Sequence, residues 1–177
     1  MIDFQGYRSN VGIILCNEQG HVFWAKRTGV DSWQFPQGGI ERGEDVEQAM
    51  FRELSEETGL ERQHVKIIAR TRYWLKYKLP EQYVRRNSRP ICIGQKQIWY
   101  LVQLIGNDTH INLARDMDPE FDAWHWVEYW EPLKSVVYFK RRVYRKALME
   151  LGANFLLKHS VISSDGYLSN DNMSEYQ

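Results

Sequence analysis

Three glutamates at helical spacing are the residues in this sequence best placed to do chemistry. Glu53, Glu56 and Glu57 occupy positions i, i+3 and i+4, so on a helix their carboxylates share one face. Like charges this close repel each other, and a bound cation would compensate for that repulsion. Carboxylate oxygens suit a hard divalent ion such as Mg²⁺ or Mn²⁺. The spacing therefore predicts a divalent-metal site, and the alternative is a solvated acidic helix face.

A glycine loop precedes this acidic segment and is suited to a phosphorylated substrate. Residues 38–43 read Gly-Gly-Ile-Glu-Arg-Gly, Glu44 follows, and Arg52 stands directly before Glu53. Magnesium in proteins is commonly shared between a few carboxylates and substrate phosphates, where it neutralises phosphate oxygens and orients an attacking water. We therefore expect a polyphosphate to bind here through metal, with Arg52 orienting the glutamates rather than acting as a catalyst.

The surrounding pattern predicts the elements that would position these groups. A helix is expected over residues 45–58, because apolar residues recur at helical spacing and Gly59 follows. The other predicted elements are a second helix at Val136–Leu151 and strands at Val11–Cys16, His21–Lys26, Trp33–Pro36, Val65–Leu75, Gln97–Leu104 and Asp122–Val127. This order predicts one α/β domain, with helices covering a mixed sheet, over residues 1–159. The polar residues 160–177 are expected to form a disordered tail.

The composition excludes several classes of protein. A chain of 177 residues with 43% hydrophobic residues is long and apolar enough to form one globular domain. The longest apolar run, Val11–Cys16, is far too short to cross a membrane, and the N-terminus does not have the pattern of a secretory signal. Cys16 and Cys92 lack metal-ligand spacing and are interpreted as packing residues. We therefore expect a cytoplasmic protein with no membrane partner.

The formal net charge of zero conceals two blocks of opposite sign. Residues 41–61 contain eight acids and two arginines, whereas residues 62–97 contain ten basic residues and one acid, Glu81. Tyrosines and Trp74 are interleaved with the basic residues, a pattern that suits single-stranded nucleic acid. The alternative is a solubilising surface whose aromatic rings face the core, and for Trp74 and Trp99, both in predicted strands, we favour this alternative. Neutrality therefore does not exclude a nucleic-acid substrate.

The acidic segment resembles the Nudix box at all nine constrained positions: Gly38, Glu44, Arg52-Glu53-Leu54, Glu56-Glu57 and Gly59-Leu60. Nudix hydrolases cleave a phosphoanhydride in a nucleoside diphosphate linked to a further group, and they use divalent metal. The resemblance implies an α/β/α sandwich in which the box forms a loop–helix–loop. It also implies that Glu53, Glu56 and Glu57 bind metal, that Gly38 adds a carbonyl, and that Glu44 supports the motif. Glu53 and Glu57 are both candidates for the general base.

Segments outside the box are similar to the bacterial RNA 5′-pyrophosphohydrolase group, which includes hydrolases of dinucleoside polyphosphates. These segments are Gly6–Arg8, Trp33–Gly39, Tyr77–Pro80, Cys92–Gln97 and Pro119–Asp122. The resemblance implies conversion of 5′-triphosphorylated or diphosphorylated RNA to 5′-monophosphorylated RNA, which promotes mRNA decay. Hydrolysis of a dinucleoside polyphosphate or another nucleotide is the alternative. A non-catalytic nucleotide-binding module is less favoured, because every glutamate of the box is present. The sequence identifies no activating protein partner.

The same resemblance implies functional residues beyond the box. Glu120 would reach the metal from a neighbouring loop and take part in catalysis, with Asp116, Asp118 and Asp122 as rivals nearby. A base would stack between Arg27 and Phe139, although helical spacing alone favours core packing for Phe139. The RNA-contacting residues implied in this way are Arg8, Arg27, Tyr77, Phe139 and Lys140.

Overall fold

The computed structural model describes residues 2–87, 89–115 and 117–165. Its strands are β1 (Tyr7–Cys16), β2 (Val22–Arg27), β3 (Trp33–Gln34), β4 (Gln37–Gly39), β5 (Val65–Arg70), β6 (Leu75–Lys78), β7 (Gly94–Leu104) and β8 (Phe121–Val127). Its helices are α1 (Val46–Thr58), the short α2 (Pro132–Ser135) and α3 (Arg141–Asp165). Within the described ranges, no helix is long and apolar enough to cross a membrane.

The eight strands form one mixed sheet, as predicted. Its main path runs in the order β3-β2-β1-β7-β5, with β1 and β7 parallel and in register from Tyr7↔Gly94 to Cys16↔Gln103. The other strand pairs are antiparallel. β4 pairs with β1, and this pairing fixes the glycine loop against the centre of the sheet.

Helices cover both faces of the sheet. Successive residues of β1 alternate between the two cores: Ile13 packs with the α1 residues Met50 and Leu54, whereas Ile14 packs with Leu148 of α3. All of these side chains are fully buried. Side chains alternate in this way along any strand, so the apolar part of β1, Val11–Cys16, must be packed against a helix layer on each face of the sheet. The α/β/α sandwich is thereby confirmed.

Two predicted elements differ from the structure. The segment predicted as a strand over 65–75 is two strands, because the chain bends at Arg72 and Tyr73. Thr71, just before the bend, still bonds to the backbone of Trp99 through its N–H and Oγ1. The prediction that a helix begins at Val136 is wrong: α3 begins at Arg141, and residues 136–140 form a turn that opens with two β-branched valines. α3 continues to Asp165, and residues 166–177 of the predicted tail lie outside the described residues. The division at residue 159 stays a prediction.

Helix α1 is fixed at both ends. Asp45 caps its N-terminus in a capping box with Gln48, so two free N–H groups are satisfied. Gly59 ends the helix in the left-handed conformation, with φ 74°. Beyond it, the Asn112 N–H bonds to the Thr58 carbonyl at 2.9 Å, and a Cβ on Gly59 would lie 2.8 Å from the Asn112 carbonyl oxygen. The loop around Asn112 therefore determines where the helix ends.

We predict that Gly59→Ala destabilises the protein more than Gly43→Ala. Both glycines have positive φ, so each alanine costs about 1 kcal/mol of left-handed strain, but only the Cβ at Gly59 meets backbone atoms. The loss of unfolding free energy in urea should be at least about twice as large at Gly59. Equal losses would show that the Asn112 loop does not restrain the helix.

Candidate active site

Arg52 is the centre of the ion-pair network that joins the glycine loop to α1. Its Nε donates to Glu44 at 2.8 Å, and its Nη1 donates to both Glu53 and Glu56 at 2.9 Å. Its Nη2 reaches the Gly39 carbonyl at 2.7 Å. The guanidinium of Arg52 holds the pKa of Glu44 below its usual range. One cation thus faces three carboxylates, and the cluster keeps an excess of negative charge.

Two glycines of the loop are required by close packing. A Cβ on Gly38 would lie within 1.9 Å of both Glu53 carboxylate oxygens, so only glycine lets the loop pass over that side chain. A Cβ on Gly39 would lie 2.1 Å from Nη2 of Arg8. The loop therefore brings an exposed arginine to the same place as the buried Glu53 carboxylate.

Glu57 is the most perturbed carboxylate of the site. Its Oε2 accepts the Gln37 N–H at 2.8 Å, and only 8% of the residue is exposed. Burial raises the pKa of Glu57 well above its usual range, and repulsion from Glu53 and Glu120 adds to the rise. Burial also raises the pKa of Glu53, against the opposing effect of Arg52. Buried acids with raised pKa values in a loop–helix setting are typical of functional sites.

Glu120 lies directly before β8, close enough to repel the Glu57 carboxylate. Its Oε1 accepts from Arg27 Nε at 2.8 Å and from Gln34 Nε2 at 3.5 Å. Its rivals are placed differently: Asp122 faces Lys26 and the Gly29 N–H, and Asp118 is exposed. Asp116 lies outside the described residues. Glu120 is therefore the acid of this loop that shares the electrostatic environment of Glu57.

A chain of glutamines behind the carboxylates was missed in the sequence analysis. Lys140 Nζ donates to Gln34 Oε1 at 3.0 Å, Gln37 Nε2 reaches the same oxygen, and Gln97 Nε2 donates to Gln37. The chain connects the residue beside Glu120 with the residue whose N–H holds Glu57. Two of the glutamines lie in the Trp33–Gly39 segment, but their contact with Lys140 depends on a tertiary fold that spacing does not reveal.

The residues expected to contact RNA fall into two groups. Arg27 and Lys140 lie beside Glu120, and burial lowers the pKa of Lys140 to about 8, helped by repulsion from Arg27. Phe139 is half-buried, with its ring centroid 6.0 Å from that of Tyr77 and 5.6 Å from that of Tyr83. Tyr77 itself is buried and donates to Gln95, so Phe139 presents the more accessible ring. No direct contact joins Arg27 to Phe139 among the contacts of the described residues.

A wide cleft opens beside the glycine loop. It is lined by Arg8, Ile40, Glu41 and Arg42 and has a volume of ≈ 830 Å³, within the range of nucleotide-sized pockets. Of its two arginines, Arg8 supplies positive charge next to the buried Glu53 carboxylate.

The residues present fit a hard divalent cation. The donors are carboxylate oxygens, with loop carbonyls close by, and these are the ligands that Mg²⁺ and Mn²⁺ prefer. In the part of the chain that the structure describes, no three acidic, His or Cys side chains already converge on one point. Glu53 and Glu56 converge instead on Arg52 Nη1, so the carboxylates would have to turn towards an ion.

Comparison with known proteins agrees with this geometry. The family model of the NUDIX domain matches residues 6–147. The chain is 65% identical over 151 residues to an RNA pyrophosphohydrolase of Methylococcus capsulatus, covering 85% of this chain and 79% of that protein. It is 60% identical to an RNA pyrophosphohydrolase of Klebsiella pneumoniae, covering 86% and 87%.

A solved structure shares the fold at low identity. The C. elegans Ap4A hydrolase binary complex superposes with a TM-score of 0.61 at 18% identity, covering 85% of this chain and 98% of that one. The sandwich, the spacing of the box and the matching family model lead to one conclusion. The chain belongs to the Nudix family, whose hydrolases use divalent cations.

Proposed function

We propose that this protein is a metal-dependent RNA 5′-pyrophosphohydrolase, which converts 5′-triphosphorylated or diphosphorylated RNA to 5′-monophosphorylated RNA. The observation that carries the proposal is the buried pair Glu53 and Glu57, with the partly exposed Glu120 close by, beside a glycine loop and three basic residues. The names of relatives at 57–65% identity support an RNA substrate. Removal of the 5′ phosphates in this way would promote mRNA decay, and such an enzyme would act in the cytoplasm.

Each charged residue then has a defined role. We assign metal binding to Glu53, Glu56, Glu57, Glu120 and the Gly38 carbonyl, with Mg²⁺ or Mn²⁺ as the ion. When bound, the ion would neutralise phosphate oxygens and lower the pKa of an attacking water. Arg52 and Glu44 keep the loop on the helix. The general base is assigned to the pair Glu53 and Glu57, because burial raises the pKa of both carboxylates.

The basic residues are assigned to the RNA. Arg8, over Gly39, and Lys140, beside Glu120, would bind phosphates at the two sides of the carboxylate group. Phe139 and Arg27 would hold a base by stacking, and Tyr77 supports the Phe139 ring from below. A dinucleoside polyphosphate remains the second candidate substrate, and it would use the same carboxylates.

We expect kcat/KM to be higher for 5′-triphosphorylated RNA than for diadenosine tetraphosphate. The reason is that residues 62–97 hold ten basic residues interleaved with aromatic ones, an extended region that a long RNA can contact and a dinucleotide cannot. Both substrates should be assayed with Mg²⁺ at the same ionic strength, with the products separated to distinguish pyrophosphate from single phosphates. Faster turnover of the dinucleotide would assign the site to small nucleotides instead.

Glu53→Gln should lower kcat by roughly 10²–10⁴ while leaving the unfolding midpoint nearly unchanged. The substitution keeps the size of the side chain under Gly38 but removes the charge that metal and base chemistry require. Glu47→Gln is the matched control, since Glu47 lies on the same helix but pairs outward with Arg62. Mn²⁺ titration followed by calorimetry should show weakened binding only in Glu53→Gln. Full activity of this variant would refute the metal-site assignment.

The KM for RNA should rise as the pH increases through about 8, because Lys140 then loses the charge that binds phosphate. Its pKa lies below the usual lysine range, so the cation is present below that pH and lost above it. Lys140→Met should have a high KM that no longer changes between about pH 7 and 9.5. Lys134→Met, at an exposed lysine paired with Glu131, is the control. If the KM of Lys140→Met still rises with pH as it does in the wild type, Lys140 does not bind RNA.

A further inference from the structure

A second basic cleft lies between β6 and the first two turns of α3. Its lining residues are Trp74, Leu75, Lys76, Arg142, Val143 and Lys146, and its volume is ≈ 360 Å³. None of these residues belongs to the Nudix box or to the RNA-contacting set described above. We propose that this cleft binds single-stranded RNA downstream of the reacting 5′ end, an inference that rests on the proposed function.

The charge of the cleft is not neutralised by the protein. Arg142 and Lys146 are exposed, and within the described ranges neither lies within 4.0 Å of an acidic oxygen. The Lys76 side chain is turned away from α3, because its neighbours Leu75 and Tyr77 pack on the α3 side of the sheet. Its Nζ bonds to Gln5 Oε1 and lies 5.1 Å from the centroid of the Tyr7 ring. Two unpaired cations one helical turn apart attract a polyanion, and a single strand of RNA presents one phosphate for each nucleotide.

An aromatic ring gives the cleft its preference for single strands. Trp74 is 38% exposed, and Lys96 Nζ lies 5.2 Å from its ring centroid. An unpaired base can stack on such a ring, whereas the bases of a duplex cannot reach it. The expectation that the Trp74 ring faces the core is wrong, because the side chain is exposed.

The start of α3 and strand β6 link the cleft to the site. Lys140 directly precedes α3, and Arg142 is only two residues further along the chain. On the opposite side, Tyr77 of β6 contacts Phe139, which stands beside Lys140. Arg142 and Lys146 are four residues apart on one helix face, roughly 6 Å along the axis. An RNA whose first bases lie at Phe139 can therefore continue along α3 towards Trp74.

The test uses the full chain and an unstructured RNA of about 20 nucleotides with a 5′-hydroxyl end. This RNA cannot be hydrolysed at its 5′ end, so its binding tests the cleft whether or not the proposed activity is correct. Lys146→Gln should weaken binding about fivefold at 0.1 M salt and lower the slope of log K against log salt by about 0.7, the value for one phosphate contact. Arg142→Gln/Lys146→Gln should lower that slope by about 1.4.

Two further variants distinguish the contributions to RNA affinity. One tests whether the position of the lost charge matters, and the other tests base stacking. Lys66→Gln is the matched control: Lys66 is exposed on β5 opposite Gln103, at the other end of β7 from the cleft, and its loss should change neither affinity nor slope. Trp74→Leu should weaken binding about tenfold with the salt slope unchanged, as expected for lost stacking. Equal affinities for Lys146→Gln and Lys66→Gln, or a wild-type protein that does not bind this RNA, would overturn the cleft proposal.

Hydrolysis assays test whether RNA binding in the cleft contributes to the activity. Arg142→Gln/Lys146→Gln should lower kcat/KM for a long triphosphorylated RNA about tenfold and leave that for a triphosphorylated trinucleotide unchanged. Equal losses on both substrates would place these residues at the 5′ end instead of downstream. A wild-type protein that binds the 5′-hydroxyl RNA but hydrolyses neither substrate would contradict the proposed function and leave the cleft supported.

Discussion

The bonds of the Arg52 guanidinium are the interaction on which the rest of the site depends. One planar group reaches the Gly39 carbonyl on the loop and three carboxylates on or beside α1. The fixed fork of arginine is suited to this, since its donors can serve several acceptors at once. Without a cation at this position, Glu44 and Glu53 would be buried beside each other with nothing to offset their repulsion.

The single cation of Arg52 does not neutralise all the carboxylates of the site. The remaining negative charge is the feature that suits metal binding. Glu57 receives an N–H from Gln37 but no cation within hydrogen-bonding distance among the described side chains, and its pKa is raised well above the usual range. Burying such a group costs free energy unless it gains a positive partner. The fold accepts this cost because α1 is fixed independently at Asp45 and Gly59 and packs on the sheet through Met50 and Leu54. A divalent ion is the partner that would recover the energy.

The local features of this site could be predicted from the sequence, and its long-range contacts could not. Helix α1 follows from apolar spacing and its caps, and its carboxylates follow from i, i+3 and i+4 positions, because both depend on residues close in the chain. The start of α3 at Arg141 and the contact of Lys140 with Gln34 depend on packing between segments 106 residues apart. Periodicity also favoured a helix through Phe139, whereas tertiary contacts with Tyr77 hold this residue in a turn.

The ion pairs explain how a chain with zero net charge can present a surface suited to RNA. On the acidic block, the outward carboxylates are already paired: Glu47 with Arg62 and Glu61 with Arg115, both at 3.0 Å. The inward carboxylates Glu44, Glu53 and Glu56 share the single cation of Arg52, and a bound divalent ion would reverse the sign there. On the basic side, Arg142 and Lys146 have no such partners within the described ranges. With metal bound, a chain of phosphates would therefore meet positive charge from the reacting end to the start of α3, although the protein as a whole is neutral.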